Sequence, residues 1–299
     1  MNIHRLQQRA AIIQAVRFFF EARGYLEVET PIRLPALIPE ANILPMPSAA
    51  WFLQTSPELC MKRLLAAGVP RLFQICKCFR ARERGRRHLP EFTMLEWYCL
   101  DGHYQNLMTE TKALLHDLAE NFKDEPGFDQ EVVSLLLQLD WQRLTVHEAF
   151  ASHAPISVDK ALDDDCFDEI LVEYVEPKLG LDRPCFLYAY PVSLGSLAKT
   201  SRQYPELAER FELYIHGVEL ANGFSELTDP VEQRRRFVKE TELGRNQGVS
   251  FGALPEKFLK DLAKIEEACG IALGMDRLVM LLTGTKDINE VVSFTPEDL

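Results

Sequence analysis

Four segments of this chain place charged side chains where they could act together. In Leu72–Tyr98, two stretches of alternating residues flank a strongly cationic loop. Cys76, Cys78 and Arg80 share one face of the first stretch, and Phe92, Met94, Glu96 and Tyr98 share one face of the second. One side of such a hairpin gathers a guanidinium, an aromatic ring, a carboxylate and a phenol. A hairpin with one wet face would show the same alternation. The connection, however, is much longer than the usual hairpin loop of about 2–5 residues, which points to binding. Its arginines (Arg80, Arg82, Arg84, Arg86, Arg87) suit a polyphosphate, an acidic partner or RNA. Downstream, a turn at His216–Gly217 would pair Tyr214 with Glu219 and set Glu212, Tyr214 and Glu219 on one face. Two carboxylates so placed repel, which suggests a cation between them. Oxygen-only ligands beside a nucleotide's phosphates suit Mg2+. Simple alternation leaves Asn222 on the other face, and a bulge at Gly223 is expected to turn it back. Near the C-terminus, GIALGMDRLVMLLTG reads as a strand, Gly274, and a helix starting near Met275 with Arg277 in its first turn. A helix start attracts anions, and a glycine there lets backbone approach a nucleotide. Finally, LQTSPELCMKRLLAAG reads as a strand end entering a helix, with Ser56 or Thr55 as cap and Glu58 in the first turn.

The elements that must position these groups follow the same patterns. Leu6, Ala10, Ile13, Val16 and Phe20 have helical spacing from about His4 to Arg23, and Gly24 is placed to end that helix. GYLEVETP reads as a strand closed by Pro31, and Ile32–Phe52 as a proline-rich loop. Residues 103–121 have the pattern of an amphipathic helix. The acidic stretch 122–183, with a helix around Cys166–Leu179, is expected to form a small insertion packed on the sheet. Asp163–Asp165 reads as a solvated run rather than a metal site. Pro184–Pro191 reads as a buried strand, and Asp229–Leu243 as a charged surface helix stopped by Gly244.

Composition bounds the class. The 299 residues contain 47% hydrophobic and 26% charged side chains, the balance of a soluble globular enzyme with a large core. Apolar runs fall well short of a membrane span, and the start, MNIHRLQQRAAIIQ, has no signal-peptide core, so a cytoplasmic protein is expected. Seven cysteines in an irregular arrangement fit a reducing compartment; Cys76 and Cys78 have no second pair with which to bind zinc. The net charge of −12 excludes a broad nucleic-acid footprint.

These residues also carry a resemblance. FR, a polar loop and H-x-P-E-F-T-x-L-E-W-Y resemble motif 2 of the class II aminoacyl-tRNA synthetases, in the lysyl subgroup. FELYIHGVELANGFSEL is similar to that subgroup's F-E-L-x-I-x-G-x-E-x-x-N-G-F-x-E-L almost position for position. The N-terminal helix, Gly, strand and Pro resemble motif 1, and GIALGMDRL resembles motif 3, so the likeness covers nearly the whole chain. Its details are most similar to the truncated lysyl-type branch that joins (R)-β-lysine to elongation factor P. The resemblance implies an α+β fold, an antiparallel sheet flanked by helices. Residues 1–299 would form one catalytic domain with no anticodon-binding domain, dimerising through the N-terminal helix and strand.

The implied reaction uses ATP and Mg2+ to form an aminoacyl-adenylate. Arg80 and Arg277 would be catalytic, and Arg80, Arg82, Glu83, His88, Phe92, Glu219, Leu220, Gly274 and Arg277 would surround ATP. Phe92 would stack on adenine, His88 and Arg277 would reach the outer phosphates, and Glu212 and Glu219 would hold the metal. Ser56, Glu58, Glu96, Tyr98, Asn222, Glu226 and Ala272 would receive lysine or β-lysine. Three positions depart from the subgroup pattern. Arg80-Ala81-Arg82-Glu83 replaces R-N-E, so Glu83 would read adenine one residue later. Leu89 replaces an Asn. Ala272 replaces a Gly, and its methyl would disfavour α-lysine by about 1–3 kcal/mol. The implied product is elongation factor P aminoacylated on a lysine, with tRNA not expected as acceptor. A stand-alone lysine-activating or tRNA-charging enzyme and a non-catalytic regulatory paralogue are the alternatives.

Overall fold

Asn2 starts the first helix, its side-chain oxygen accepting the Arg5 N–H at 3.2 Å. This helix, α1 (Ile3–Glu21), opens a computed structural model that describes residues 2–299. It buries Gln8, Ile12, Val16, Phe19 and Phe20. The expected stripe is therefore rotated: Ala10 is exposed, and Leu6 and Ile13 are half-buried. Apolar residues occur on more than one side of this helix, so spacing alone leaves the inward face ambiguous. Gln8 is accommodated inside because its amide donates to the Gly127 carbonyl at 2.8 Å. Gly24, with φ +74°, follows the helix end as expected. Of GYLEVETP only β1 (Leu26–Glu27) joins a sheet.

The proline-rich stretch contains a three-stranded side sheet of β2 (Arg33–Leu34), β3 (Met46–Ser48) and β4 (Trp51–Leu53), followed by α2 (Glu58–Ala66). The hairpin β5 (Arg71–Phe79) and β6 (Glu91–Leu100) comes next, then α3 (Tyr104–Phe122) and α4 (Gln130–Leu136). Strand β7 (Gln142–Thr145) leads to α5 (Val146–His153), α6 (Val158–Asp163) and α7 (Phe167–Ile170), which continues through a π-turn to Val175. Strands β8 (Cys185–Pro191), β9 (Leu207–Ile215) and β10 (Val218–Ser225) precede α8 (Pro230–Asn246) and α9 (Glu256–Leu262). The chain closes with β11 (Ala268–Gly274) and α10 (Met275–Leu282).

The main sheet has eight strands in the order β1-β5-β6-β11-β10-β9-β8-β7, antiparallel except at its two edges. This is the expected α+β architecture. One face packs on α1, α3, α4 and α10 around Phe20, Phe73, Leu95, Trp97, Phe211 and Ile271. The other face is covered at one end by α2, α8 and α9 and at the other by α5–α7. Between these covers it lies open. Within the stretch 122–183, α4 belongs to the first core, β7 extends the main sheet, and α5–α7 pack Val146, Phe150 and Phe167 on Cys185, Leu187 and Tyr214.

Two glycines act differently from expectation. Helix α8 runs through Gly244, and left-handed Gly248 (φ +77°) follows its end. Gly244 instead admits the Phe251 ring, which a Cβ would meet at 2.4 Å. Gly223 is not a bulge: it pairs regularly with Phe211 and Ile271, and the register shift lies between Glu219 and Ala221. A Cβ at Gly223 would sit 2.8 Å from the Phe211 ring and 3.0 Å from the Ile271 Cβ. Gly223→Ala is therefore expected to destabilise the fold by about 1–3 kcal/mol through overpacking. A urea denaturation midpoint equal to the wild type's would contradict that role.

Candidate active site

Strand register brings the charged residues onto the open face. Cys78 lies opposite Phe92 and Cys76 opposite Met94, so these residues share a face with Glu96 and Tyr98. The next strand sets Ala272 opposite Glu96 and also opposite Asn222 of β10. Glu212 of β9 faces Asn222, and Tyr214 faces Glu219 across the expected turn, where His216 (φ +50°) and Gly217 (φ +66°) both adopt positive φ. The bulge at Glu219–Ala221 allows Glu219 and Asn222 to point the same way despite their odd spacing. A second bulge on β8, at Ala189 with φ +59°, brings Tyr190 round in the same manner.

The open face forms one wall of a cavity of about 500 Å3. Arg80, Glu83, His88, Phe92, Glu219, Leu220, Gly274 and Arg277 lie on its wall together with Ser56, Glu58, Glu96, Tyr98, Glu212, Asn222 and Ala272. Two expected residues do not reach the wall. Arg82 sits exposed at a left-handed turn (φ +65°). Glu226 is 2% exposed and lies behind Tyr98 and Gly270, against Lys62. Leu89 is buried.

At the cationic end, the Arg80 guanidinium lies 5.2 Å from the Phe92 ring centroid and 3.8 Å from Glu83, and its buried Nε has no hydrogen-bond partner. A buried unpaired donor is costly, so a ligand acceptor would stabilise it. Arg277 donates to the Glu219 carbonyl (2.7 Å) and carboxylate (3.2 Å), and to His88 Nε2 at 2.6 Å. Burial, and then the Arg277 charge, hold the His88 pKa below its ordinary value, consistent with a neutral ring accepting that bond.

The middle of the cavity is fixed by groups that the sequence reading missed. Glu212 accepts from Arg210 (2.6 Å), Tyr190 (2.5 Å) and Tyr214 (2.6 Å), which engages both of its oxygens. Arg210 also donates to Asn222 at 3.2 Å and lies 4.4 Å from the Tyr190 ring centroid. Arg210 stands two residues before Glu212, so strand alternation could have revealed it; Tyr190 depends on its bulge. Glu176 lies 3.1 Å from the Tyr214 hydroxyl, whose single proton goes to Glu212, and burial followed by the charges of Glu219 and Glu212 raises the Glu176 pKa to about 7.

The opposite end is acidic. The Ser56 hydroxyl donates to Glu96 (2.6 Å) and accepts the Glu58 N–H (3.0 Å), so it helps to cap α2 while orienting a carboxyl. Tyr98 donates to the other Glu96 oxygen at 2.7 Å. Burial, then the Glu58 charge, pushes Glu96 up to about 8. Glu40, from the loop before β3, also lines the cavity; burial and Glu58 raise it to about 7. Gly270 is required beneath, because a Cβ would fall 2.2 Å from the Tyr98 ring and 2.6 Å from Glu226.

Among the described residues, no group of three or more His, Cys, Asp or Glu side chains is arranged to hold a metal, and no helix is long and apolar enough to cross a membrane. Of the two carboxylates expected to hold the metal, Glu212 has both oxygens bonded to Arg210, Tyr190 and Tyr214, so Glu219 is the one that would face a magnesium ion which keeps waters and takes its other ligands from substrate phosphates.

Comparison with known proteins agrees with this geometry. The family model for tRNA synthetases class II (D, K and N) matches residues 2–298. The elongation factor P–(R)-β-lysine ligase of Pectobacterium atrosepticum is 38% identical, the match covering 99% of this chain and 96% of the relative. The ligases of the same name from Proteus mirabilis and Enterobacter sp. are each 39% identical, covering 98% of this chain and 95% of theirs. With the family model matching residues 2–298 and relatives 38–39% identical over nearly the whole chain, the chain belongs to the class II tRNA synthetases of the D, K and N type.

Proposed function

We propose that this protein is an AMP-forming ligase that activates (R)-β-lysine, or less well lysine, with ATP and transfers it to a lysine side chain of elongation factor P. The observation that carries the reading is one cavity with Arg80, Phe92, Glu219 and Arg277 at one end and Ser56, Glu58, Glu96, Tyr98 and Asn222 at the other. The relatives' name supplies the substrate and the acceptor. In the first step a carboxylate oxygen attacks the α-phosphorus and pyrophosphate leaves. In the second, the acceptor amine, having lost a proton, attacks the adenylate carbonyl; an amide forms and AMP departs. Both steps bring anions or developing negative charge together, and Arg80 is the bidentate partner for carboxylate and α-phosphate. Phe92 stacks on adenine, while His88 and Arg277 face the outer phosphates. Mg2+, when bound, would neutralise phosphate charge beside Glu219. The acidic end receives the two ammonium groups, and the Ala272 methyl between Glu96 and Asn222 trims the space for an α-amino acid.

The protein acts in the cytoplasm as a homodimer in this reading. Support for the dimer comes from apolar side chains left exposed on the first helix and strand, Phe18 at 59% and Leu26 at 54%. The test is amino-acid-dependent ATP–pyrophosphate exchange with each lysine isomer. Exchange favouring (R)-β-lysine is expected. Equal or reversed preference removes the β-lysine assignment, and no exchange with either isomer removes the ligase. Charging of bulk tRNA with labelled lysine would favour a tRNA-directed enzyme.

A further inference from the structure

The acidic end of the cavity contains a cation of its own. Lys62 stands one turn after Glu58 on α2 and is only 1% exposed, an unusual position for a lysine. Its ammonium contacts Glu58 Oε1 and Glu226 Oε2 and lies 5.3 Å from the Phe224 ring centroid. Burial alone would neutralise it, yet the two carboxylates raise its pKa, so it stays charged. Its neighbour Arg63 turns outward to Asp261. The groups facing Lys62 are Glu58 on its own helix, Glu226 after β10, and Glu96 with Tyr98 on β6; the charge of Glu58 also raises Glu40 on the loop. Glu226 and Glu96 are both pushed toward protonation by burial, and Lys62 is a cation that opposes this at both.

A buried ion pair can be purely structural. This one is joined to the cavity: Glu58 is on the wall, and Glu226 has no hydrogen-bond partner for Oε1. We infer that Lys62 is a positioning residue of the amino-acid pocket, whose buried ammonium, held between Glu58 and Glu226, keeps the two carboxyl groups aimed for a diamino acid substrate. The inference rests on the proposed diamino substrate and adds to it how the pocket keeps its negative charge. Removing Lys62 takes away the cation that opposes protonation of Glu226 and Glu96, so both carboxyls hold their protons more tightly, and an arriving ammonium must displace them.

The test is Lys62→Met in the full chain, with pyrophosphate exchange measured across pH. The expected result is a KM for (R)-β-lysine raised about tenfold or more at pH 7, with kcat changed much less and the KM for ATP unchanged. The acid limb of kcat/KM should move upward by about one pH unit, the signature of carboxyls that have become harder to ionise. A merely structural role would lower active protein without moving that limb. Lys62→Gln, which keeps polarity but not charge, should show the same displacement if the Met variant does not fold. An unmoved limb with an unchanged amino-acid KM in a soluble variant overturns the inference. An inactive wild type would instead count against the ligase reading. Calorimetric titration of the wild type and variant with (R)-β-lysine over the same pH range then decides the role of Lys62 separately.

Discussion

Arg80→Lys lowers amino-acid-dependent pyrophosphate exchange by about 10²–10³-fold, the usual scale for removing one preorganised donor at a developing charge. The substitution retains positive charge, so the loss reports geometry. Arg80 follows the β5 strand, its backbone N–H held by the Pro90 carbonyl at 2.9 Å, which anchors the loop on both sides. Its guanidinium lies beside Phe92, and its buried Nε is unpaired. A planar fork can meet a carboxylate and a phosphate oxygen together, whereas an ammonium on a flexible stem cannot hold both in line. The effect should fall mainly on kcat, because the two anions approach most closely in the transition state. Steady-state exchange with saturating ATP, alongside an unchanged thermal midpoint, is the measurement. A loss below tenfold would mean that Arg80 is not the group joining the reacting anions.

Glu219→Gln is expected to reduce exchange by at least about 10²-fold, beyond the 10–100-fold typical of outer-shell partners at metal sites. The amide preserves size and removes charge, and two consequences follow. A neutral side chain is a poor partner for Mg2+ beside phosphates. The same change weakens the hold on Arg277, whose guanidinium is now placed by the Glu219 carboxylate and carbonyl and by His88. Glu212 is a poor substitute, since its oxygens are already bonded to Arg210, Tyr190 and Tyr214. A titration of Mg2+ at fixed ATP should show a higher requirement in the variant. Exchange equal to the wild type's would separate Glu219 from the metal, and a wild type already without exchange would point to a regulatory paralogue.

Much of this site is legible in the chain itself. Alternation in Leu72–Tyr98 correctly groups Phe92, Glu96 and Tyr98, because side-chain direction in a strand has period two. The His216–Gly217 turn and the Gly274-to-Met275 junction are local features of backbone and glycine chemistry, and both stand where expected. Other groups were hidden for physical reasons. Gly223 was expected to bulge, but glycine there serves a close approach of Phe211, and the bulge falls at Glu219–Ala221. Gly244 similarly makes room for Phe251 and does not stop its helix. Both errors assign to local conformation a glycine required by packing.

The amino-acid sequence therefore determined by itself the strand faces and the turn positions, since these follow from short-range periodicity and turn chemistry, while the α+β class and the expectation of adenylate chemistry came from the family resemblance. Only the tertiary structure decided which groups meet. Two bulges return Asn222 and Tyr190 to the cavity face, Arg210 engages Glu212, and Lys62 stands between Glu58 and Glu226. Glu226 lies behind the wall that the family resemblance would have it line, because Gly270 opens the space that Tyr98 and the Glu226 carboxylate share. A charge buried far from its partner in sequence becomes stable only when the fold delivers that partner, and this long-range pairing is absent from any local pattern.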